Sequence, residues 1–166
     1  MVLKNKLSIT TMISRINVFE KNQGVLKALS SLQMYLGKSP IEKNLLHLLY
    51  FRVSQLNGCA FCLDMHSKDL RAAGESEQRL YMISAWDEAP VYTERERAAI
   101  AWAEAVTRLG REGVPDNVYE RALRSFTEDE LIDLTVAVIA INSYNRINVA
   151  FRTPSGHYQP GQFQAH

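Results

Sequence analysis

Apolar residues recur at helical spacing from Val25 to Leu36, through Leu26, Leu29 and Leu32, and predict a first amphipathic helix. Gly37-Lys38-Ser39-Pro40 breaks it. Ser39-Pro40-Ile41-Glu42 then reads as a capping box with proline at the first helical position, so a second helix should run to about Leu56, with Leu45, Leu46, Leu48 and Leu49 on its apolar side. Asn57-Gly58 turns the chain. A run free of Gly and Pro follows and predicts a helix from about Cys59 to Gly74, where glycine can take the left-handed position just past a helix end. A short helix is expected from Ser76 to Ala85. Thr93-Glu94-Arg95-Glu96 forms a second capping box and opens an alanine-rich helix to about Leu109. Val114-Pro115-Asp116 starts another short helix to about Ser125, and Thr127-Glu128-Asp129-Glu130 is a third capping box. The helix behind it, Leu131 to Ile141, is apolar on nearly all sides, which predicts burial against a second subunit as well as the core. Asn142, Asn145 and Arg146 continue it as hydrogen-bonding groups near its end. Residues 1–10 and 153–166 show no period and are expected to be peripheral. The pattern is that of an all-α fold, one domain over residues 1–166, with about seven or eight helices arranged as hairpins.

The candidate chemistry lies in Cys59-Ala60-Phe61-Cys62-Leu63-Asp64-Met65-His66, which holds both cysteines of the chain. On a helix, positions 59, 62 and 66 share one face. The free N–H groups of a first helical turn and the positive end of its dipole favour a thiolate, and a second thiol three residues away can close a disulfide onto it. Three readings fit this spacing: a redox dithiol, a metal site, or two inert buried thiols. In the metal reading His47 completes a Cys59, Cys62, His66, His47 tetrahedron suited to zinc. A chain of 166 residues with 46% hydrophobic content has core enough to need no such staple. The redox reading therefore leads, with no metal and no cofactor expected. A thioredoxin-like arrangement is excluded by the lack of a βαβ pattern around the motif.

Composition narrows the partners. A net charge of +1, with basic and acidic residues interspersed, excludes a dedicated nucleic-acid surface. The most apolar run, Val136 to Ile141, is too short to span a bilayer, so no membrane is expected. The first ten residues carry Lys4 and Lys6 but no apolar stretch, and so no export signal. One C-x-x-C pair and no such signal fit a cytoplasmic protein, where a dithiol can cycle.

Arg52 through His66, then Arg71-Ala72-Ala73-Gly74-Glu75, Thr93-Glu94-Arg95-Glu96-Arg97-Ala98-Ala99 and Asn142-Ser143-Tyr144-Asn145-Arg146, closely resemble the signature of the AhpD-like alkylhydroperoxidases of the carboxymuconolactone decarboxylase superfamily. The resemblance implies an all-helical, homo-oligomeric protein whose dithiol reduces hydroperoxides and is recycled by a thiol donor such as dihydrolipoamide. It further implies that Cys62 is the peroxidatic thiol, that Cys59 resolves its sulfenic acid, and that His66 belongs to a proton relay. Two positions depart from the family's peroxidases, which carry a glutamate twelve residues before the first cysteine and a histidine between the cysteines. Here these are His47 and Phe61. A neutral imidazole at His47 can accept a proton through water. The alternatives are a disulfide reductase or electron carrier without peroxidase activity, and the zinc-holding oligomer described above. Lactone decarboxylation does not rest on a C-x-x-C pair and is the least expected activity.

Overall fold

The computed structural model describes residues 13–163, and within them the chain is all-α. Eight α-helices follow in order: α1 (Val18–Lys21), α2 (Gln23–Leu36), α3 (Lys43–Leu56), α4 (Ala60–Ala72), α5 (Glu77–Met82), α6 (Glu94–Thr107), α7 (Asp116–Leu123) and α8 (Glu128–Phe151). A 3₁₀ turn, Ile83–Ala85, extends α5. The one β-type pairing among the described residues is an isolated bridge between Gly110 and Gly113.

Helix α3 is the hub. Its sequence is apolar on more than one face, and Leu45, Leu46, Leu49 and Val53 enter one core while Leu48 and Phe51 enter another. The first core joins α3 to α6 and α8 through Ala98, Ala99, Trp102, Ala103, Leu134, Ala137, Val138 and Ile141. The buried alanines of α6 are the small residues that let its backbone approach its neighbours. The second core sits under α4 and α5, around Leu70, Leu80, Ile83, Tyr92 and Ile100. Because α3 carries side chains for both, its C-terminal end and the turn behind it are held from two sides.

The capping boxes at Thr93 and Thr127 form as the sequence predicts, each with the reciprocal Glu bond to the cap backbone. The one expected at Ser39 does not. Helix α3 starts at Lys43, and the Ser39 hydroxyl donates to the Asp133 carboxylate at 2.5 Å instead. Tyr35 donates to the same carboxylate at 2.7 Å. Glu42, the expected partner in the box, is drawn to Arg95, which also bonds Glu130 at 2.7 Å. A buried acid and a bridging arginine thus outcompete a local cap. Helix α1 has no counterpart in the hydrophobic pattern. Helix α8 is longer than its apolar stretch suggests, running on to Phe151, and it exposes Ile132 and Ile139.

The segment from Thr153 to Phe163 is not a loose tail. After Arg152, at φ 55°, it lies along α4, where Tyr158 is buried and Lys68 Nζ donates to the Gly156 and Tyr158 carbonyls. His157 is exposed. The expectations for residues 1–10 and for residues 164–166 fall outside the described residues. No helix among the described residues is long and apolar enough to cross a membrane.

The seam between α3 and α8 should dominate stability. Leu134→Ala removes a fully buried side chain and is expected to cost about 3 kcal/mol, whereas Thr127→Ala, which removes a cap, should cost about 1 kcal/mol. Urea denaturation of both variants checks the ranking, and a reversed order would contradict it.

Candidate active site

The dithiol is placed by the turn between α3 and α4. Helix α3 ends in a Schellman motif: Gly58 takes φ 64°, its N–H bonds the Gln55 carbonyl, and the Cys59 N–H bonds the Ser54 carbonyl at 3.0 Å. Cys59 is at once the residue that closes α3 and the N-cap of α4. Three hydrogen bonds among buried or half-buried polar groups hold the turn to α8. Asn57 Nδ2 donates to the side-chain oxygens of Asn142 and Asn145, each at 2.9 Å, and Asn145 Nδ2 donates to the Ser54 hydroxyl at 3.1 Å. Asn145 is fully buried, so these bonds are ones it must make. Helix α4 closes with the same device at its far end, where Gly74 takes φ 92° and the Glu75 N–H reaches the Leu70 carbonyl.

Cys59 and Cys62 are joined as a disulfide with their Cα atoms 5.3 Å apart. The two sulfurs have different surroundings. Cys59 Sγ accepts the Cys62 N–H at 3.3 Å, in the place where a serine or aspartate oxygen would cap the helix. Cys62 Sγ accepts Asn148 Nδ2 at 3.5 Å. Each cysteine is only 1% exposed, so the pair lies beneath the surface rather than at it. Phe61, between them, packs against Phe19 of α1 and Phe163 of the C-terminal segment.

One turn along α4 from Cys62 lies His66, buried, with neither ring nitrogen bonded among the described residues. Its ring centroid is 6.0 Å from that of His47 and 5.4 Å from that of Tyr50, both on α3. Burial, with a lesser contribution from His47, pushes the His66 pKa down to about 3, so the ring is neutral. Burial lowers His47 as well; Asp69 opposes the shift and Lys43 adds to it. His47 is half-buried and its Nδ1 has no partner among the described residues. Asp69, one turn past His66, accepts the Tyr158 hydroxyl on both oxygens, at 2.8 and 3.0 Å. The four residues singled out from the sequence, Cys59, Cys62, His66 and His47, thus fall in one region of the α3–α4 hairpin. With both sulfurs in the disulfide, the Cys59, Cys62, His66, His47 tetrahedron is not formed.

Residues 23–105 match the carboxymuconolactone decarboxylase family. YdfG of Bacillus subtilis, an uncharacterized protein, is 38% identical over 139 residues, 84% of this chain and 95% of its own. The chain belongs to the carboxymuconolactone decarboxylase family. Among solved structures, ATU0492 from Agrobacterium tumefaciens, of unknown function and assigned provisionally to antioxidant defence as an AhpD, superimposes with a TM-score of 0.83 at 42% identity, covering 88% of this chain and all of that one. The debrominase Bmp8 shares the fold at 19% identity, with a TM-score of 0.72, over 82% of this chain and 74% of its own. The chain is thus an AhpD-like member of a family that includes enzymes.

The sequence reading named Asn142 and Asn145 as hydrogen-bonding groups but missed Asn148, Asp69 and Tyr158 of this AhpD-like site. Asn142, Asn145 and Asn148 recur every third residue on an otherwise apolar stretch, and this stripe marks the face of α8 turned to the hairpin. Asp69 stands three residues after His66, a spacing visible in the sequence. Nothing in the sequence points to Tyr158.

Gly58→Ala tests the turn alone, because a Cβ there meets no atom within 4 Å and only the left-handed backbone opposes it. A loss of about 1 kcal/mol is expected by thermal or urea unfolding, with Gly58→Asn less costly. An unchanged stability for Gly58→Ala would contradict the role given to the turn.

Proposed function

We propose that the protein is a thiol-dependent peroxidase that reduces alkyl hydroperoxides through its Cys59–Cys62 pair. The observation that carries this reading is a disulfide-forming pair at a helix N-terminus with a neutral, buried imidazole one turn behind Cys62. The AhpD-like relatives support it.

In the reduced enzyme the Cys62 thiolate attacks the outer oxygen of the hydroperoxide. The S–O bond forms, the O–O bond breaks, and the alkoxide leaves with a proton as the alcohol, the sulfur having lost two electrons to give a sulfenic acid. The Cys59 thiolate then attacks that sulfur, forming the disulfide and expelling hydroxide, which takes a proton to leave as water. A dithiol donor such as dihydrolipoamide restores both thiols and is itself oxidised to its disulfide. The helix N-terminal amide on Cys59 Sγ makes Cys59 the better leaving thiolate in that step. His66 passes protons without storing them, because burial keeps it uncharged, and the half-buried His47 connects it to solvent. Asn148 positions and stabilises the Cys62 thiolate through its amide N–H. The protein works in the cytoplasm as a homo-oligomer, with exposed Ile132 and Ile139 of α8 as its apolar contact.

A second reading keeps the dithiol as a disulfide reductase or electron carrier. Phe61 in place of the inter-cysteine histidine favours it.

Stopped-flow mixing of reduced protein with cumene hydroperoxide distinguishes them. Cys62→Ser should abolish peroxide consumption, and Cys59→Ser should stop after one equivalent, leaving a sulfenic acid that dimedone traps. Peroxide turnover that survives Cys62→Ser sinks the peroxidase reading; thiols that survive peroxide in the parent protein but exchange with lipoamide support the carrier.

Asn148→Leu should raise the Cys62 thiol pKa, followed by thiolate absorbance, and slow its oxidation about tenfold, the equivalent of one hydrogen bond to a charged group. A slower reaction at unchanged thiol pKa would place Asn148 in packing rather than in thiolate stabilisation.

A further inference from the structure

The dithiol chemistry leaves a second constellation on the hairpin with unspent donors. His47, His66 and Asp69 bring one nitrogen or oxygen atom each to within 4.8 Å of the other two. His66 is 5% exposed, and among the described residues both of its ring nitrogens lack a partner, as does His47 Nδ1. An imidazole so deeply buried normally spends its N–H on a protein acceptor, since an unmade bond there costs about 1–3 kcal/mol. We infer that His47, His66 and Asp69 form a binding site for one divalent transition-metal ion of the zinc class, held by two imidazole nitrogens and one carboxylate oxygen.

The donor set is the one such ions take. Two histidines and a carboxylate suit zinc or ferrous iron rather than calcium or magnesium, which prefer oxygen alone. Three protein ligands leave a coordination position open. Either nitrogen of His66 is placed to face the ion without giving up a hydrogen bond to the described residues. Asp69 already has its outer support: the buried Tyr158 hydroxyl bonds both of its oxygens, and a carboxylate has about four lone-pair sites, so ligation leaves those bonds intact. Its charge offsets Lys43 beside His47. Donors around a tetrahedral zinc lie about 3.3–3.5 Å apart, and the half-buried side chains of His47 and Asp69 have the freedom to close the difference.

This set differs from the cysteine tetrahedron in needing neither thiol, so it exists in the disulfide form. An ion there would occupy the imidazole lone pairs that the peroxidase reading assigns to proton transfer. Metal binding and that relay exclude each other, but the site does not depend on the relay.

Isothermal titration of Zn²⁺ into the full chain, in its disulfide form and at neutral pH, tests the inference with no peroxide present. One ion per chain is expected. His47→Gln and Asp69→Asn, both at half-buried positions that tolerate change, should each weaken binding at least tenfold, and Tyr158→Phe about tenfold. The Cys59→Ser/Cys62→Ser double variant should bind as the parent does. With Co²⁺ as probe, visible d–d bands without a near-ultraviolet thiolate charge-transfer band are expected. No binding, binding indifferent to His47→Gln and Asp69→Asn, or a thiolate charge-transfer band each overturns the assignment.

Discussion

The active hairpin depends on one residue serving two helices. The Cys59 N–H closes the Schellman motif of α3 by bonding Ser54, while the Cys59 sulfur caps α4 by accepting from Cys62. Gly58 makes this possible, because at φ 64° it reverses the chain without a spacer and leaves no freedom between the end of one helix and the start of the next. The direction of α4, the placement of both sulfurs and the approach of His66 to His47 all follow from that one turn. A longer loop would let α4 rotate and would separate the two histidines, which sit on different helices.

A turn this tight still needs support from the rest of the fold, and α8 gives it. The asparagine stripe of Asn142, Asn145 and Asn148 runs from the turn to the Cys62 sulfur, so polar side chains pass through an interior otherwise made of leucine, alanine and valine. Buried amides of this kind fix a register that apolar contacts alone would leave open to sliding, since each unmade bond is costly. The C-terminal segment adds a second restraint from outside, through Tyr158 on Asp69 and Phe163 on Phe61. The same contacts keep solvent away from the disulfide and its neighbouring imidazoles.

Burial lowers the pKa of both imidazoles in this region. For the histidines it removes charge, leaving His66 as a neutral donor and acceptor in the middle of the site. Asp69 lies beside them, with both of its oxygens accepting from the Tyr158 hydroxyl. Two imidazoles and a carboxylate on facing helices can relay protons or hold a cation.

The local grammar of the chain decided its helices. Periodic leucines fixed α2 and α3, Thr93 and Thr127 with their glutamates fixed the starts of α6 and α8, and Gly58 and Gly74 bounded α4. These signals act over three or four residues, so they are readable before any tertiary contact exists. The pairing of Cys59 with Cys62 and the alignment of His66 behind them were legible for the same reason. Tertiary structure decided the rest. Ser39 left its expected cap for the buried Asp133, Asn148 reached a sulfur 86 residues away in sequence, and Tyr158 turned an aperiodic tail into a strap over α4. Each of those outcomes is a contest between a local bond and a buried distant partner. A hydrogen bond hidden from water is stronger than one exposed to it, and which partner is hidden is settled only when the helices pack.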